Sequence, residues 1–413
     1  MKRHTLAALV AACLLAACGG GGNSGETKLT PVGLKVVGAS LADSGTFGLK
    51  FTVQSASGTP YAVYTERVAA AYGLSLCAHY RSSNGGVSYT TNDACFNHAV
   101  AGAAINFGLM TDSSSDADTV NDTFTPLASV PSNMLYQLSE LSARGLSSGD
   151  VLIVGEGSSN DAAQLITAYL TDAQTAGTLN TTLFRQVITS LMQDGGATAG
   201  AGVLATDGGA AAGVAYMSKL AQTLVASIKT QALDKGVQRV VVLNTLDVTR
   251  TPKLQAVLGS LNATQAAQLQ ALFRAWVQAY NSALNTAVAE QGGKVVVVDL
   301  YAAFNDQLDN PAQYGLTNVT STVCFETVNA AGATKTNSVV APGTIGLTDA
   351  DVSVSVAQTC NDAFASSITP TQNATGADWW KTYAFSDSFH PTPYGHQLLA
   401  QLVNKRLAEA GWL

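Results

Sequence analysis

Four short apolar runs recur along the chain, and long helical patterns separate them. The runs are rich in β-branched residues and end at Gly, Asn or Asp, as buried strands often do: Leu34–Gly38, Val151–Gly155, Arg239–Asn244 and Lys294–Asp299. Continuous apolar strands that alternate with helices predict a parallel sheet with helices on both faces. We therefore expect an α/β fold with three layers, α/β/α, around a central parallel sheet.

The helical patterns lie between these runs and at the end of the chain. They cover about 160–193, 210–235, 262–292 and 393–410. No Pro/Ser-rich linker and no internal repeat is present, so residues 30–413 are predicted to form a single domain. Two stretches, near 195–213 and 325–380, are predicted to be insertions that shape access to a site. Gly200–Ala205 resembles a dinucleotide-binding fingerprint only weakly, because no strand precedes it.

The amino-terminal residues form a targeting segment. Residues 1–17 are predicted to be a signal peptide, since two basic residues precede an apolar stretch that is too short to span a bilayer. The stretch ends in the letters LAAC, which resemble a bacterial lipobox and imply cleavage before Cys18 and acylation of its thiol. Residues 18–29 would then form a lipidated, flexible tether, and Gly19 fits sorting to the outer membrane of the cell envelope. The open alternative is ordinary cleavage of a secreted protein with an incidental cysteine.

The chain is acidic and carries few charges. Removal of Lys2 and Arg3 with the signal leaves 28 acidic against 19 basic residues, a net charge of −9. Charged residues make up 12% of the sequence, about half of the usual share. No basic patch or charge run is present, so nucleic acid is not expected to be a partner.

The cysteines predict disulfides. Of six, Cys13 lies in the signal and Cys18 at the lipobox, and the remaining four are Cys77, Cys95, Cys324 and Cys360. An exported chain meets an oxidising compartment, so an even number predicts two disulfides. Three pairings are open, and we favour Cys77–Cys95 and Cys324–Cys360 because each closes a local loop. A metal site is the alternative, but no CxxC spacing or phosphate-binding loop is present, so we expect no cofactor.

Histidines are scarce, which narrows the choice of a general base. The five are His4, His79, His98, His390 and His396. His390 follows Asp387 by three residues in a turn, where the carboxylate can bind one ring nitrogen while the other faces a nucleophile. Pro391 and Pro393 stiffen the backbone after it and start the last helix. His98 and His396 are alternatives, but neither has an acidic residue at a short, favourable spacing.

Ser40 is the candidate nucleophile. It follows the apolar run that ends at Gly38, and a serine just past the carboxyl end of a strand can expose its hydroxyl where backbone N–H groups also point. Ser44 is the rival, but it lies further from the strand end. Gly145–Gly149 matches G-x-S-x-G with Ser147 at its centre. This segment precedes a strand, whereas a nucleophile elbow follows one, so we predict a turn there.

Several segments, in chain order, resemble the blocks of the GDSL, or SGNH, hydrolase family. Gly38–Gly45 is similar to the first block, with Ala39 in place of the usual Asp. Asn97–Ala103 is similar to the second block, Ser158–Asp161 to the third and Asp387–Pro391 to the fifth. Asn310–Asn318 resembles a stretch of the bacterial lipase-like branch. Together the segments cover about residues 36–396.

The resemblance implies a flavodoxin-like central sheet and a serine ester hydrolase. Ser40 would attack the ester carbonyl, His390 would take its proton, and Asp387 would hold the imidazole. The backbone N–H groups of Ser40 and Gly102 and the side-chain amide of Asn160 would stabilise the oxyanion. We therefore expect these five residues to form the catalytic site.

The chain departs from the family pattern in two blocks. Ala39 leaves the first block one carboxylate short, and we interpret the remaining Asp43 as a turn residue that holds the loop. The third block has Ser158 in place of its usual glycine, although Gly157 lies one residue earlier. A glycine displaced by one residue is expected to shift the loop that carries Asn160.

Three hypotheses for the activity stay open. The first is an esterase or lipase, held at the membrane by its lipid anchor and acting on a lipid or a short-to-medium acyl ester. The second keeps the site but makes the protein a phospholipase or a carbohydrate O-acetyl esterase. The third is a catalytically dead surface lipoprotein that binds a ligand. Trp379, Trp380 and Tyr383 are predicted either to line an acyl or sugar site or to pack in the core, and nothing in the sequence indicates the oligomeric state.

Overall fold

A four-stranded parallel sheet organises the chain in the computed structural model of the protein. The residues that the structure describes are 31, 33–111, 123–175, 183–192, 209–324, 326–328, 335–337, 360–367 and 376–413. The predicted signal peptide and tether lie outside them, as does most of each predicted insertion. None of the described helices is both long and apolar enough to cross a membrane.

The described strands form this large sheet and several small pairs. In chain order they are β1 (Gly33–Val37), β2 (Tyr80–Arg81), β3 (Thr90–Thr91), β4 (Gly108–Thr111), β5 (Thr123–Pro126), β6 (Asp150–Val154), β7 (Arg239–Leu243), β8 (Val295–Val298), β9 (Asn318–Thr322), β10 (Glu326–Val328), β11 (Lys335–Asn337) and β12 (Tyr383–Phe385). The large sheet has the order β1-β6-β7-β8, and every pairing in it is parallel. These strands are the four apolar runs that the sequence predicts, to within one residue at either end.

The described helices alternate with the sheet strands. In chain order they are α1 (Tyr64–Ala71), α2 (Met134–Ala143), α3 (Ser158–Thr175), α4 (Leu183–Leu191), α5 (Ala210–Gln231), α6 (Pro252–Gly259), α7 (Ala263–Ala289), α8 (Leu300–Asp309), α9 (Asp362–Ser367) and α10 (Pro393–Glu409). The predicted helix over 160–193 corresponds to both α3 and α4, whose connection lies outside the described residues. The other three predicted helices correspond to α5, α7 and α10.

Residues 96–100 run beside β1 on the side away from β6. The His98 N–H donates to the Val36 carbonyl at 2.8 Å, and the Val100 N–H donates to the Gly38 carbonyl at 3.1 Å. This segment occupies the place of a further strand next to β1, which gives the strand arrangement of a flavodoxin-like sheet. The sheet therefore sets the second block of the sequence beside the turn that follows β1.

Side chains alternate between the two faces of the sheet, and each face has its own apolar cluster. One cluster joins Val37, Leu152 and Val240 to buried residues of α2 to α7. The other joins Val36 and Ile153 to buried residues of α1, α8 and α10. Since helices cover both faces, the prediction of a three-layer α/β/α fold is confirmed.

A smaller apolar cluster lies outside these layers. Trp379, Trp380 and Tyr383 are buried in it, together with residues from three distant parts of the chain: Val53, Val323, Cys360 and Ala365. The Trp379 indole N–H donates to the Ala365 carbonyl at 2.9 Å. Of the two interpretations of these aromatic residues, the structure favours core packing.

Both favoured disulfides are present. The Cα atoms are 5.2 Å apart in Cys77–Cys95 and 5.1 Å apart in Cys324–Cys360, which is an ordinary separation for a disulfide. The first bond precedes the segment beside β1. The second joins Cys324, which follows β9, to Cys360 in the smaller apolar cluster.

We expect Gly213→Ala to destabilise the fold, although alanine is normally the better helix former. Gly213 is buried in α5, which packs against α7, and a Cβ at this position would overlap the Trp276 indole ring. Overpacking of this kind costs about 1–3 kcal/mol of unfolding free energy. Urea and thermal unfolding of the purified variant would measure the loss.

Gly259→Ala is the matched control. Gly259 lies at the exposed end of α6, and a Cβ there would meet no atom within 4 Å. This variant should unfold at or above the parental temperature. Equal stability of the two variants would contradict the close packing of α5 on α7.

Candidate active site

Ser40 lies in a tight turn just beyond the carboxyl end of β1. The Ala42 N–H donates to the Ala39 carbonyl at 3.1 Å and closes the turn, in which Ser40 is 5% exposed. The turn starts where β1 approaches β6 closely, because a Cβ on Gly38 would lie 3.2 Å from the Gly155 Cα. The serine therefore stands at the carboxyl edge of the sheet, where α/β folds bind their ligands.

Asp43 links the Ser40 turn to the neighbouring segment. One carboxylate oxygen accepts the N–H groups of Gly45 and Thr46, both at 2.8 Å. The other accepts the Ala101 N–H at 3.0 Å. Burial raises the pKa of Asp43 to about 6, against the opposing effect of these bonds. These three bonds support the interpretation of Asp43 as a turn residue, because they hold the first block against the second.

Asn160 reaches the turn that contains Gly102. Gly102 has a φ of 79°. Asn160, at the start of α3, donates from Nδ2 to the carbonyl of Ala103, the residue after Gly102, at 2.9 Å. Asp161 accepts the Ile105 N–H at 2.7 Å and so holds the same segment, and burial raises the pKa of Asp161 to about 7. The structure thus brings the two predicted oxyanion donors of the second and third blocks together.

The glycine of the third block is needed one residue earlier than in the family pattern. A Cβ on Gly157 would overlap the Met134 Sδ atom and would lie 3.2 Å from the Ala103 carbonyl oxygen. Ser158, at the usual glycine position, is buried and accepts a hydrogen bond from the Thr245 hydroxyl at 2.6 Å. The close packing of α2 on the start of α3 therefore explains the shifted glycine, and the asparagine still reaches the second block.

Asp387 and His390 form a hydrogen-bonded pair within residues 386–391, which we call the acid–base turn. The His390 Nδ1 atom lies 2.9 and 2.8 Å from the two Asp387 carboxylate oxygens. The Phe389 and His390 N–H groups donate to the same carboxylate at 2.9 and 2.7 Å. His390 is 1% exposed and Asp387 is 6% exposed. These bonds fix Nδ1 on the acid and turn Nε2 away from it.

Two segments from the carboxyl edge of the sheet hold the acid–base turn. Lys253, which follows β7, donates its backbone N–H to the Ser388 carbonyl at 3.2 Å. Thr52, which follows β1, donates its hydroxyl to the Pro391 carbonyl at 2.9 Å. The acid–base turn therefore lies at the same edge of the sheet as Ser40.

Apolar residues also pack around the acid–base turn. Phe389 packs on the apolar cluster of one sheet face, and the Phe51 ring packs against the His390 imidazole with their centroids 5.0 Å apart. In the part of the chain that is described, no hydrogen bond joins the Ser40 hydroxyl to His390. Such bonds are often long without substrate and tighten when it binds.

The two alternative serines have structural partners. The Ser44 hydroxyl oxygen accepts a hydrogen bond from the Asn97 side-chain amide at 2.7 Å. Ser147 donates to the Asp150 carboxylate through its N–H at 2.8 Å and its hydroxyl at 2.9 Å. Its turn precedes β6, so it lies at the amino edge of the sheet, opposite the Ser40 turn.

The two alternative histidines are fully buried and contact other groups. His98 stacks on His79 with their centroids 4.2 Å apart. The Arg144 guanidinium lies 2.8 Å from a ring nitrogen of His79 and 3.2 Å from one of His98. One ring nitrogen of His396 lies 3.4 Å from the Phe51 carbonyl. Burial is the main cause that lowers the pKa of both His98 and His396 to about 3. A general base works best with a pKa near the working pH, so neither histidine suits that role.

We expect His396 to make the protein less stable in mild acid. Its folded pKa of about 3 lies below the usual value of 6.5, so between these values the unfolded chain binds a proton that the folded chain does not. Stability is therefore lost as the pH falls through 6.5. Between pH 7 and 5 the parent should lose about 2 kcal/mol more unfolding free energy than His396→Gln, which cannot titrate there.

Urea unfolding of both proteins at the two pH values measures this difference. The other titrating groups are common to the two proteins and cancel in the comparison. Equal losses of unfolding free energy in parent and variant would show that folding does not lower the pKa of His396.

Two buried polar side chains that the sequence did not single out also contact the Ser40 turn. They are Gln137 of α2 and Glu156, which follows β6. Neither residue lies in one of the segments that resemble the blocks of the family. Their partners are 99 and 115 residues away in the chain, so no local pattern marks them.

The chain matches the family described as GDSL-like Lipase/Acylhydrolase over residues 35–403, and it therefore belongs to this family of ester hydrolases. No curated protein matches it. The predicted membership of the GDSL, or SGNH, hydrolase family is thereby confirmed. The described residues contain no group of three or more His, Cys, Asp or Glu side chains that could hold a metal ion.

Proposed function

We propose that the protein is a serine ester hydrolase of the esterase or lipase type, which cleaves carboxylic esters. The observation that carries this proposal is the buried Asp387–His390 pair, with Nδ1 held by the carboxylate at 2.8 and 2.9 Å. A carboxylate on one ring nitrogen orients the imidazole and stabilises its protonated form, as the base of a serine nucleophile requires. Membership of an acylhydrolase family supports the same chemistry.

In the proposed mechanism, the Ser40 hydroxyl attacks the ester carbonyl carbon while His390 Nε2 takes its proton. The negative charge that develops on the carbonyl oxygen is stabilised by the N–H groups of Ser40 and Gly102 and by the Asn160 amide. Collapse of this intermediate expels the alcohol, which receives the proton from His390, and leaves an acyl group on Ser40. Water, deprotonated by His390, then attacks the acyl-enzyme and releases the acid.

Apolar side chains beside the base support an acyl substrate. Phe51, which contacts the imidazole, is buried with Leu49, and both pack with Phe47 and Ala101. Ala101 precedes Gly102, so this apolar wall extends from the base to an oxyanion donor. Phe47 and Ala101 are only partly buried, and we propose that they contact the acyl chain of a lipid or of a short-to-medium ester.

Ser40→Ala should abolish hydrolysis of a nitrophenyl ester without unfolding the protein, because it removes the attacking oxygen. Asn160→Ala should also fold but should lose about 10²–10³ in kcat, the usual effect of one oxyanion donor. Steady-state kinetics would measure both losses, and circular dichroism melts would report folding.

Ser147→Ala is the control for this series, since Ser147 matches G-x-S-x-G and lies at the opposite edge of the sheet. It should keep parental activity. Hydrolysis by Ser40→Ala at the parental rate would remove Ser40 as the nucleophile. A parent that hydrolyses no ester would favour the dead, ligand-binding alternative.

We further propose that Cys18 carries a lipid that holds the enzyme at the bacterial outer membrane. The support is the sequence LAAC followed by a glycine-rich tether, all of which lies outside the described residues. Cells fed an alkyne-labelled fatty acid should label the parent and Cys13→Ser, but not Cys18→Ser, because only the last change removes the acylated thiol. Fractionation should place the labelled protein with the outer membrane. Equal labelling of Cys18→Ser would contradict the anchor.

A further inference from the structure

Two buried side chains bind the backbone of the Ser40 turn on either side of the serine in sequence. Gly38, two residues before the serine, is bound by Gln137, and Leu41, one residue after it, is bound by Glu156. The two side chains come from separate elements, α2 and the loop after β6. We call this pair of contacts the Gln137–Glu156 clamp.

Gln137 binds both backbone groups of Gly38, whose carbonyl also accepts the Val100 N–H at 3.1 Å. Its Oε1 atom accepts the Gly38 N–H at 2.8 Å, and its Nε2 atom donates to the Gly38 carbonyl at 3.1 Å. Nε2 also donates to the Pro131 carbonyl at 2.7 Å. The side chain is 0% exposed, so these bonds are shielded from water. Since it must accept and donate at once, only an amide can make the whole set.

Glu156 binds the Ser40 turn through one hydrogen bond. Its Oε1 atom accepts the Leu41 N–H at 2.9 Å, and the residue is 3% exposed. The preceding residue, Gly155, donates its N–H to the Val37 carbonyl at 2.8 Å, so the loop is also tied to the end of β1. Acceptance of one N–H requires an oxygen at this position but not a negative charge.

The clamp encloses the groups on which the proposed chemistry depends. The Ser40 N–H, a proposed oxyanion donor, lies between the two bound peptide groups of Gly38 and Leu41. An oxyanion donor is effective only when it is already aimed at the developing charge. Rotation of either flanking peptide would move this N–H and the serine hydroxyl together.

We propose that Gln137 and Glu156 are positioning residues that hold the nucleophile and one oxyanion donor in their reactive geometry. The inference rests on the proposed function of Ser40. Glu156 acts as a hydrogen-bond acceptor, so glutamine can replace it. Gln137 acts as acceptor and donor, so glutamate cannot replace it, because its carboxylate would face the carbonyl oxygens of Gly38 and Pro131.

The test compares Glu156→Ala, Glu156→Gln, Gln137→Ala and Gln137→Glu with the parent and with Ser40→Ala, on one nitrophenyl ester. Misplacement by about 1 Å can cost about 10²-fold, so kcat should fall by about 10- to 100-fold in both alanine variants and in Gln137→Glu. Because ground-state binding is untouched, KM should stay within about twofold of the parent. Glu156→Gln should recover most of the parental kcat.

Asp172→Ala controls for a purely structural loss. Asp172 is a buried carboxylate in α3 that accepts the Leu183 and Phe184 N–H groups at 3.2 and 2.8 Å. It lies twelve residues beyond Asn160, about 18 Å along the helix. This variant should lower the melting temperature while keeping the parental kcat of the folded protein.

Parental kcat in Glu156→Ala and Gln137→Ala, with Ser40→Ala inactive, would overturn the clamp and leave the proposed function intact. Equal impairment of Glu156→Gln and Glu156→Ala would also overturn it, because the charge would then matter and not the acceptor. An active Ser40→Ala would instead overturn the proposed function. If an alanine variant does not fold, the contrast between Glu156→Gln and Gln137→Glu still decides the matter.

Discussion

Buried backbone groups at the carboxyl ends of the strands are the constraint on which the active site depends. Beyond its last paired residue a strand leaves N–H and C=O groups that need partners, because an unsatisfied buried group costs about 1–3 kcal/mol. Gln137 binds both backbone groups of Gly38 after β1, where the Gly38 carbonyl also accepts the Val100 N–H. Asn281 of α7 does the same for Thr245 after β7, with both bonds at 2.9 Å. A side-chain amide thus continues the sheet where the backbone must leave it to form a turn.

The site also depends on contacts between the two ends of the chain. The proposed nucleophile follows the first strand of the sheet, whereas the acid–base turn precedes the last helix. The disulfide Cys324–Cys360 secures the surroundings of that turn. The Cys324 N–H donates to the Ser386 carbonyl at 2.8 Å, and the Cys360 carbonyl accepts the Gln54 N–H at 2.7 Å. In an oxidising compartment this covalent link holds together segments that are far apart in sequence.

The features that the sequence predicts well are local ones. The four sheet strands are continuous apolar runs, and burial on both faces of a parallel sheet explains that pattern. Asp387 and His390 are three residues apart, so their pairing needs only a turn. The role of residues 96–100 as a neighbour of β1 could not be read from hydrophobic periodicity, because the segment contains Asn97 and His98 and is too irregular.

The contacts that the sequence could not predict are long-range. The position of Gly157 depends on Met134, which packs against it from α2, and the clamp depends on residues about a hundred positions from the Ser40 turn. The packing of Met134 explains the shifted glycine in the third block, and Asn160 still binds the Ala103 carbonyl. Single residues of ordinary type carry these roles, so composition and spacing give no sign of them.

In the proposed mechanism, His390 activates Ser40 as the nucleophile. The most direct test is to treat the parent and His390→Ala with a fluorophosphonate probe and to locate the label by peptide mass spectrometry. We expect a label on Ser40 in the parent and a much slower reaction in the variant, because the base is missing. A label on another serine, or equal rates for the two proteins, would contradict this mechanism.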